Sequence, residues 1–415
     1  SVGTDGGVNG SGESYVAYIF AHDDAQFGTD EDESIIKCGS YTGNGSTDGP
    51  EINLGFEPQW VMIKASTGTG HWLMADNMRV VATGGYDAYL KANDNSSEFD
   101  SYSWIDFTST GFKLTNNGGS LNGSGTYIYM VIRRPNKPPE AATDVFAIDT
   151  KSSGRPNYTS NFPVDLVFNR NNINSSDSTS VETRLTSKQL ITNSTAAEGF
   201  DMSDTFRCNT GWEDGGSVDT TDYAWMFKRA PGFMDVVAYT GNASTNNITH
   251  NLQVVPELMM FKNRDQNIGW PVWFGDGANV VPLQGTNAKY DEGLNLNGTT
   301  ATNIPISGGN SSYNNNGIKY IAYLFATLPG ISKVGSYSGN SGYAVNVPCG
   351  FTNGARFILI KRTDNTGDWY LWDSVRGITS GNDPYLLLNT NAAQVTNTDY
   401  VDPLTSGFTV TASAP

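Results

Sequence analysis

The sequence predicts an all-β protein built of tandem antiparallel β-sandwiches, and three observations carry that reading. Its apolar residues fall in short runs, either alternating with period two or grouped four to six together, rich in aromatic and β-branched types. These runs are bounded by turn-forming clusters such as Asn116-Asn117-Gly118-Gly119 and Asn314-Asn315-Asn316-Gly317. No window of 12 residues keeps a helical i, i+3, i+4, i+7 stripe. Composition points the same way: only 16% of residues are charged, against roughly 25% in an ordinary soluble domain, while 46 glycines and 48 aromatic residues (9 Trp, 20 Tyr, 19 Phe) suit short strands joined by turns.

Charge and cysteine usage exclude several functions. Lys and Arg number 25 against 42 Asp and Glu, a net charge of −17, which argues against binding a nucleic-acid backbone. No apolar run approaches the roughly 20 residues needed to span a bilayer, so membrane insertion is not expected. The start, Ser1-Val2-Gly3-Thr4-Asp5-Gly6-Gly7, lacks the regions of a signal peptide. Cys38, Cys208 and Cys349 are too far apart for a zinc motif and too few for a disulfide framework.

Self-comparison gives the organisation. Cys38-Gly39-Ser40-Tyr41-Thr42-Gly43-Asn44 returns as Val237-Ala238-Tyr239-Thr240-Gly241-Asn242 and as Val334-Gly335-Ser336-Tyr337-Ser338-Gly339-Asn340. The tyrosines lie 198 and 98 residues apart, so the period is about 99 with one degenerate copy. A strand-like element fills the gap: Trp60-Val61-Met62-Ile63-Lys64 aligns with Asp165-Leu166-Val167-Phe168-Asn169, Leu258-Met259-Met260-Phe261-Lys262 and Phe357-Ile358-Leu359-Ile360-Lys361. Next come a Trp-bearing segment (Trp72 to Arg79, Trp270 to Asp276, Trp369 to Arg376) and a Leu-rich strand (Ala88 to Leu90, Gln189 to Ile191, Gly293 to Leu296, Tyr385 to Leu388). A Gly-Phe strand follows (Gly111-Phe112, Gly199-Phe200-Asp201-Met202, Gly407-Phe408), then a tyrosine-rich closing strand (Tyr127 to Ile132, Tyr223 to Phe227, Tyr320 to Phe325).

A unit of this length can bury its own two-sheet core, so the copies read as tandem domains rather than solenoid repeats. Cuts after each closing strand, where prolines supply short stiff linkers, give an N-terminal segment 1–21 and repeats at 22–134, 135–230 (degenerate), 231–326 and 327–415. Tyr15-Val16-Ala17-Tyr18-Ile19-Phe20 then reads as a closing strand with no unit before it, and repeat 4 reaches Pro415 where its own closing strand is due. Such a chain reads as a fragment of a longer one. Tyr15, Val16, Ala17, Tyr18, Ile19 and Phe20 are therefore the candidate assembly residues. The strand missing from repeat 4 can come from the same chain folding back, from a neighbouring copy or from residues beyond Pro415 in a longer chain, and the short proline linkers favour the last two.

The combined pattern resembles a repeat domain of virion structural proteins from tailed phages, particularly marine ones, in which "YTGNG", "LGFxPxWVxIK", a Trp…Asp-Val-Arg-Gly segment and a "YiAwxf" strand follow in order. The resemblance rests on Gly39 to Lys64, Trp72 to Arg79, Ala230 to Asn242, His250 to Leu258 and Asp373 to Gly377. It covers nearly all of the chain except residues 1–12 and the weak copy at 140–222. It implies four lectin-type jelly-roll sandwiches in a tail, fibre or appendage protein, and no catalytic residue set.

Chemistry has few places to sit. Asp23, Asp24, Asp30 and Asp32 form a candidate calcium loop, but they lack EF-hand spacing and occur once, so a solvated acidic loop is the reading the residues favour. Asp76 with Arg79 and Asp373 with Arg376 read as paired or capping turns. Trp72, Trp270, Trp369 and Trp372 are candidates for stacking on a sugar, against the alternative of core positions. The expectation is a non-enzymatic structural protein of a phage virion, a tail-fibre or surface-appendage component located on the particle or otherwise extracellular. Its partners are copies of itself, other virion proteins and a host cell-surface glycan. The alternatives are a bacterial surface adhesin or carbohydrate-binding protein, then a laminarinase-like glycanase.

Overall fold

Alternation at period two becomes antiparallel pairing from Ile36 to Val410. The structure, a computed structural model, describes residues 3, 5–28, 31–79, 81–200, 202–215 and 217–414, without the side chain of residue 203. Strand makes up 36% and helix 2%, so the all-β expectation holds. Asp30 and Asp201 lie outside the described residues.

Repeat 1 sets the pattern. Its larger sheet runs in the order Ile36–Thr42 (opening), Thr126–Arg133 (closing), Pro58–Ala65 (central), Leu73–Asp76 (Trp strand) and Leu90–Lys91 (Leu strand). A smaller sheet of Glu51–Asn53, Gly111–Leu114 and Ile105–Thr108 packs over it. Between them lies a core of Val61, Ile63, Leu73, Phe107, Phe112, Tyr127 and Val131. The Tyr-Thr-Gly-Asn turn locks opening to closing strand. Tyr41 Oη donates to the Leu121 carbonyl at 2.6 Å, and Asn44 N–H donates to Asn122 Oδ1 at 2.9 Å. A Cβ on Gly43 would fall on the Gly123 carbonyl, so the turn admits no side chain there.

Repeat 3 follows the same order with Met234–Thr240, Lys319–Phe325, Leu258–Asn263, Pro271–Trp273 and Asn279–Pro282, plus an outer Tyr290–Asp291. The Leu-strand place is thus taken by Asn279–Pro282 and not by Gly293 to Leu296, whose Leu294 and Leu296 sit in the sandwich core instead. In repeat 4 the central (Phe357–Lys361), Trp (Trp369–Asp373) and Leu (Leu386–Leu387) strands form a three-stranded sheet. Among the described residues nothing pairs with the outer edge of Phe357–Lys361, and residues 333–340 form no strand. In repeats 1 and 3 the segment equivalent to 333–340 is a strand paired with the closing strand.

Repeat 2 corrects the sequence alignment by one residue. Its sheet is Phe146–Lys151, Asp219–Phe227, Leu166–Asn171, Ser180–Thr183 and Gln189–Ile191. Phe168 faces Trp225 in register as Met62 faces Met130, so Arg170, not Asn169, occupies the position of Lys64 and Lys262. Slipping a strand by one residue exchanges its faces: Val167 enters the repeat's own core and Phe168 leaves it. The Gly-Phe strand is also relocated. Gly211-Trp212 pairs with Tyr158–Thr159, and a Cβ on Gly211 would meet the Tyr158 carbonyl just as one on Gly111 would meet that of Ile52. Phe200 is 76% exposed, which excludes it from a core strand.

The largest apolar cluster ignores the cuts at 230/231 and 326/327. It gathers Phe168, Trp225 and Phe227 of repeat 2, Val236, Met260 and Tyr323 of repeat 3, and Trp369, Leu371 and Leu386 of repeat 4. The larger sheets of these repeats are therefore apolar on both faces, as sheets covered on both sides must be. Repeats 2, 3 and 4 each keep a core of their own, and this further cluster joins the three.

Candidate functional site

The seams of that shared core are built from equivalent residues. In repeats 2, 3 and 4 the basic residue near the end of the central strand reaches out of its own repeat. Lys262 Nζ donates to the Thr195 carbonyl of repeat 2 at 3.0 Å, and Lys361 Nζ to the Thr286 carbonyl of repeat 3 at 3.0 Å. Arg170 donates to the carbonyls of Leu387 and Thr390 of repeat 4 at 2.9 and 3.0 Å, and to that of Ala392. Burial lowers Lys262 to about 8 and Arg170 to about 10, so carbonyl oxygens take the place of water around cations that are hard to keep charged.

The backbone repeats the same cycle. Glu198 N–H donates to the Arg264 carbonyl at 2.9 Å, Lys289 N–H to that of Thr363 at 2.8 Å, and Gln394 N–H to that of Asn172 at 2.7 Å. Each acceptor lies two residues beyond the basic residue, and each donor six residues beyond the position of Leu283. Repeat 2 bonds repeat 3, repeat 3 bonds repeat 4, and repeat 4 bonds repeat 2. The ring is closed.

Trp270 and Trp369 belong to these seams. Their indole N–H groups donate to the carbonyls of Ile191 at 3.2 Å and Pro282 at 2.8 Å, and the rings are 1% and 3% exposed, which closes their faces to a sugar. Trp372 is also 3% exposed, packed in repeat 4 beside Tyr370 and Tyr385. Trp72 is half-buried, its backbone N–H donating to Asn93 Oδ1. The Asp–Arg motifs are turns, as the spacing predicts. Asp76 Oδ1 accepts from the N–H groups of Met78 and Arg79 while Arg79 Nε donates to Oδ2, and Asp373 does the same with Val375 and Arg376. The second copy also ties repeats: Trp225 Nε1 donates to Asp373 Oδ2 at 3.1 Å, and Arg376 lies over the Trp225 ring.

Repeat 1 is attached through a buried ion cluster that sequence reading missed. Arg229 bonds Glu57, its N–H donates to Asp165 at 2.7 Å, and Asp235 lies 3.4 Å from it. Arg134 donates to Asp165 at 3.0 Å, and Arg184 donates to the carbonyls of Val164 and Asn77. Burial pushes Asp165 up, but Arg134, Arg229 and Arg184 outweigh it and hold the carboxyl below its usual range. Glu57, Asp165 and Asp235 come from repeats 1, 2 and 3, a scatter over 178 residues that no local motif announces.

Among the remaining carboxylates, Asp23 accepts from Ser34 at 2.6 Å and pairs with Lys37 at 3.0 Å, while Asp24 and Asp32 are exposed. Among the described residues no group of three or more His, Cys, Asp or Glu could hold a metal ion. Repeat 2 carries a polar interior where Glu182, 1% exposed and raised by burial to about 7, accepts from Gln189 at 3.2 Å. A polar groove lined by Arg170, Asn171, Asp177, Gln189 and Asp222 opens beside it. Tyr15 to Phe20 pair with no strand and are exposed, Val16, Tyr18 and Ile19 by 81%, 84% and 90%.

A match runs over residues 1–135 and 144–415, to a family described as Domain of unknown function (DUF7483). The chain belongs to this family. No curated protein matches the sequence. The match takes in the degenerate repeat 2 along with the others.

Proposed function

We propose that the protein is a non-enzymatic structural component of a phage virion, a tail-fibre or surface-appendage element made of four tandem jelly-roll-like sandwiches. The observation that carries this reading is the use of the recurrent residues. The basic strand ends, the seam tryptophans and the Asp373–Arg376 pair all bond one repeat to another, which is how a rigid structural element would employ them. The sequence resemblance supplies the particle. Its partners in this reading are copies of itself and other virion proteins, with a host cell-surface glycan as the partner of an attachment role.

End-to-end joining of copies belongs to the same reading. Tyr15 to Phe20 match Tyr320 to Phe325 residue for residue, and the open edge of Phe357–Lys361 is where such a strand pairs in repeat 3. By that register Tyr18 would face Leu359. Two experiments test the proposal. Mass spectrometry and antibody labelling of purified virions should place the protein on the particle, whereas labelling confined to bacterial envelopes would favour the adhesin. Deleting residues 1–21 should abolish end-to-end association and leave repeats 2 and 3 folded.

A further inference from the structure

We propose that repeat 1 is a trimerisation module, in which three copies of the chain reproduce between molecules the ring that repeats 2, 3 and 4 form within one. The inference does not depend on the virion role. It starts from the outer face of the larger sheet in repeat 1, where Trp60, Met62, Met74, Leu90, Met130 and Ile132 line up. A sheet with one face in water reads polar on that face; this one does not. The corresponding residues of repeat 3 are Leu258, Met260, Val272, Val281, Tyr323 and Phe325, all in or against the shared core. In repeat 1 all six are only half-buried, and their neighbour Ile128 is 40% exposed. Unpartnered apolar faces of this extent mark interaction sites.

The occupant follows from the bonding groups around the face. In the ring of repeats 2, 3 and 4 every unit supplies a basic strand end, a carbonyl two residues past it and a backbone N–H on the loop after the Leu strand, and repeats 3 and 4 add an indole N–H. Repeat 1 has each: Lys64, Trp72, the Ser66 carbonyl and Glu98 N–H. The position of Glu98 is fixed by its neighbour, since Phe99 N–H donates to the Tyr89 carbonyl as Val395 N–H does to Tyr385 and Gly199 N–H does to Gln189. Among the described residues the Trp72 indole, the Ser66 carbonyl and Glu98 N–H have no partner, whereas the matching carbonyl and N–H of repeats 2, 3 and 4 and the indoles of Trp270 and Trp369 bond across a seam. A donor and its matching acceptor on one unit are what a heterologous ring of identical units requires, and this geometry closes after three.

The test is the mass of the assembled chain, read by sedimentation equilibrium on the 415-residue chain carrying Ile19→Asp to prevent strand exchange. Three chains per particle are expected. Adding Met62→Glu and Met130→Glu should return it to one chain while circular dichroism and the melting profile stay those of the parent. Should that pair unfold repeat 1, Ile128→Asp alone, at a position already open to water, is to give the same loss of trimer. A single-chain mass for the parent, any stoichiometry other than three, or a trimer that survives Ile128→Asp in a folded protein overturns the proposal.

Discussion

Asp87 and Glu182 are both buried carboxylates, and their partners give them opposite consequences. Asp87 accepts from the backbone N–H groups of Ala82, Trp104 and Ile105 at 3.1, 2.8 and 3.1 Å, so it supplies acceptors to three donors that water cannot reach. Asp383 holds Tyr400 and Val401 in the same way. Asp87→Ala should therefore cost at least about 3 kcal/mol in repeat 1, since it orphans three buried donors at about 1–3 kcal/mol each; urea unfolding followed by tryptophan fluorescence would measure it. Glu182 instead has one oxygen without a partner, and burial raises its pKa from 4.5 to about 7. The folded chain then keeps a proton between pH 4.5 and 7 that the unfolded chain has released. The favourable contribution is complete below pH 4.5 and is lost as pH rises through 7. Glu182→Gln, fixed in the neutral form, should flatten that slope and stabilise the protein at pH 8 by on the order of 3 kcal/mol. Equal denaturant midpoints for the two proteins at pH 8 would show that the carboxylate is not desolvated.

At the scale of elements, strand type and order were legible because alternation and turn residues are local, but register and strand identity in the weak copy were not. Nothing near Asn169 or Arg170 in sequence says which one matches Lys64; the choice is made by Trp225 and Tyr223 across the sheet. Gly199-Phe200 imitates the Gly-Phe strand, yet the requirement that matters is a backbone too close to a carbonyl for any Cβ, and only Gly211 meets it. This contrast is testable. Gly211→Ala should cost roughly 1–3 kcal/mol through overpacking, whereas Gly199→Ala, whose Cβ would lie 3.8 Å from its nearest neighbour, should stay within about 0.5 kcal/mol. Thermal unfolding of the two variants gives the answer, and equal losses would restore the original alignment. The seam residues were in plain view as Lys262, Lys361, Trp270 and Trp369. What hid their role is that an outward-facing apolar or basic residue has no partner until the chain has been folded around it.

For the whole molecule the shared core decides how the protein comes apart. Phe227 stands at its centre, with ring centroids 4.8 Å from Phe146 and 6.0 Å from Phe168 of its own repeat, 6.4 Å and 6.2 Å from Phe233 and Phe325 of repeat 3, and 5.9 Å from Phe357 of repeat 4. Truncating a buried phenylalanine costs about 3–5 kcal/mol. Because Phe227 has neighbours in all three repeats, the loss cannot be confined to one of them. Tandem domains with small interfaces melt independently; three sheets around one core cannot expose it singly. Repeats 2, 3 and 4 are therefore expected to unfold in one transition that Phe227→Ala lowers as a block. Ile63 is fully buried in the separate core of repeat 1, so Ile63→Ala should cost roughly 2–5 kcal/mol there and leave that block in place. Hydrogen exchange read by mass spectrometry separates the cases peptide by peptide. Phe227→Ala should raise exchange together in 166–171, 258–263 and 369–373, and Ile63→Ala in 58–65 and 126–133. If Phe227→Ala loosened only residues 146–227, the seams would be weaker than their bonds imply and the repeats would be independent after all.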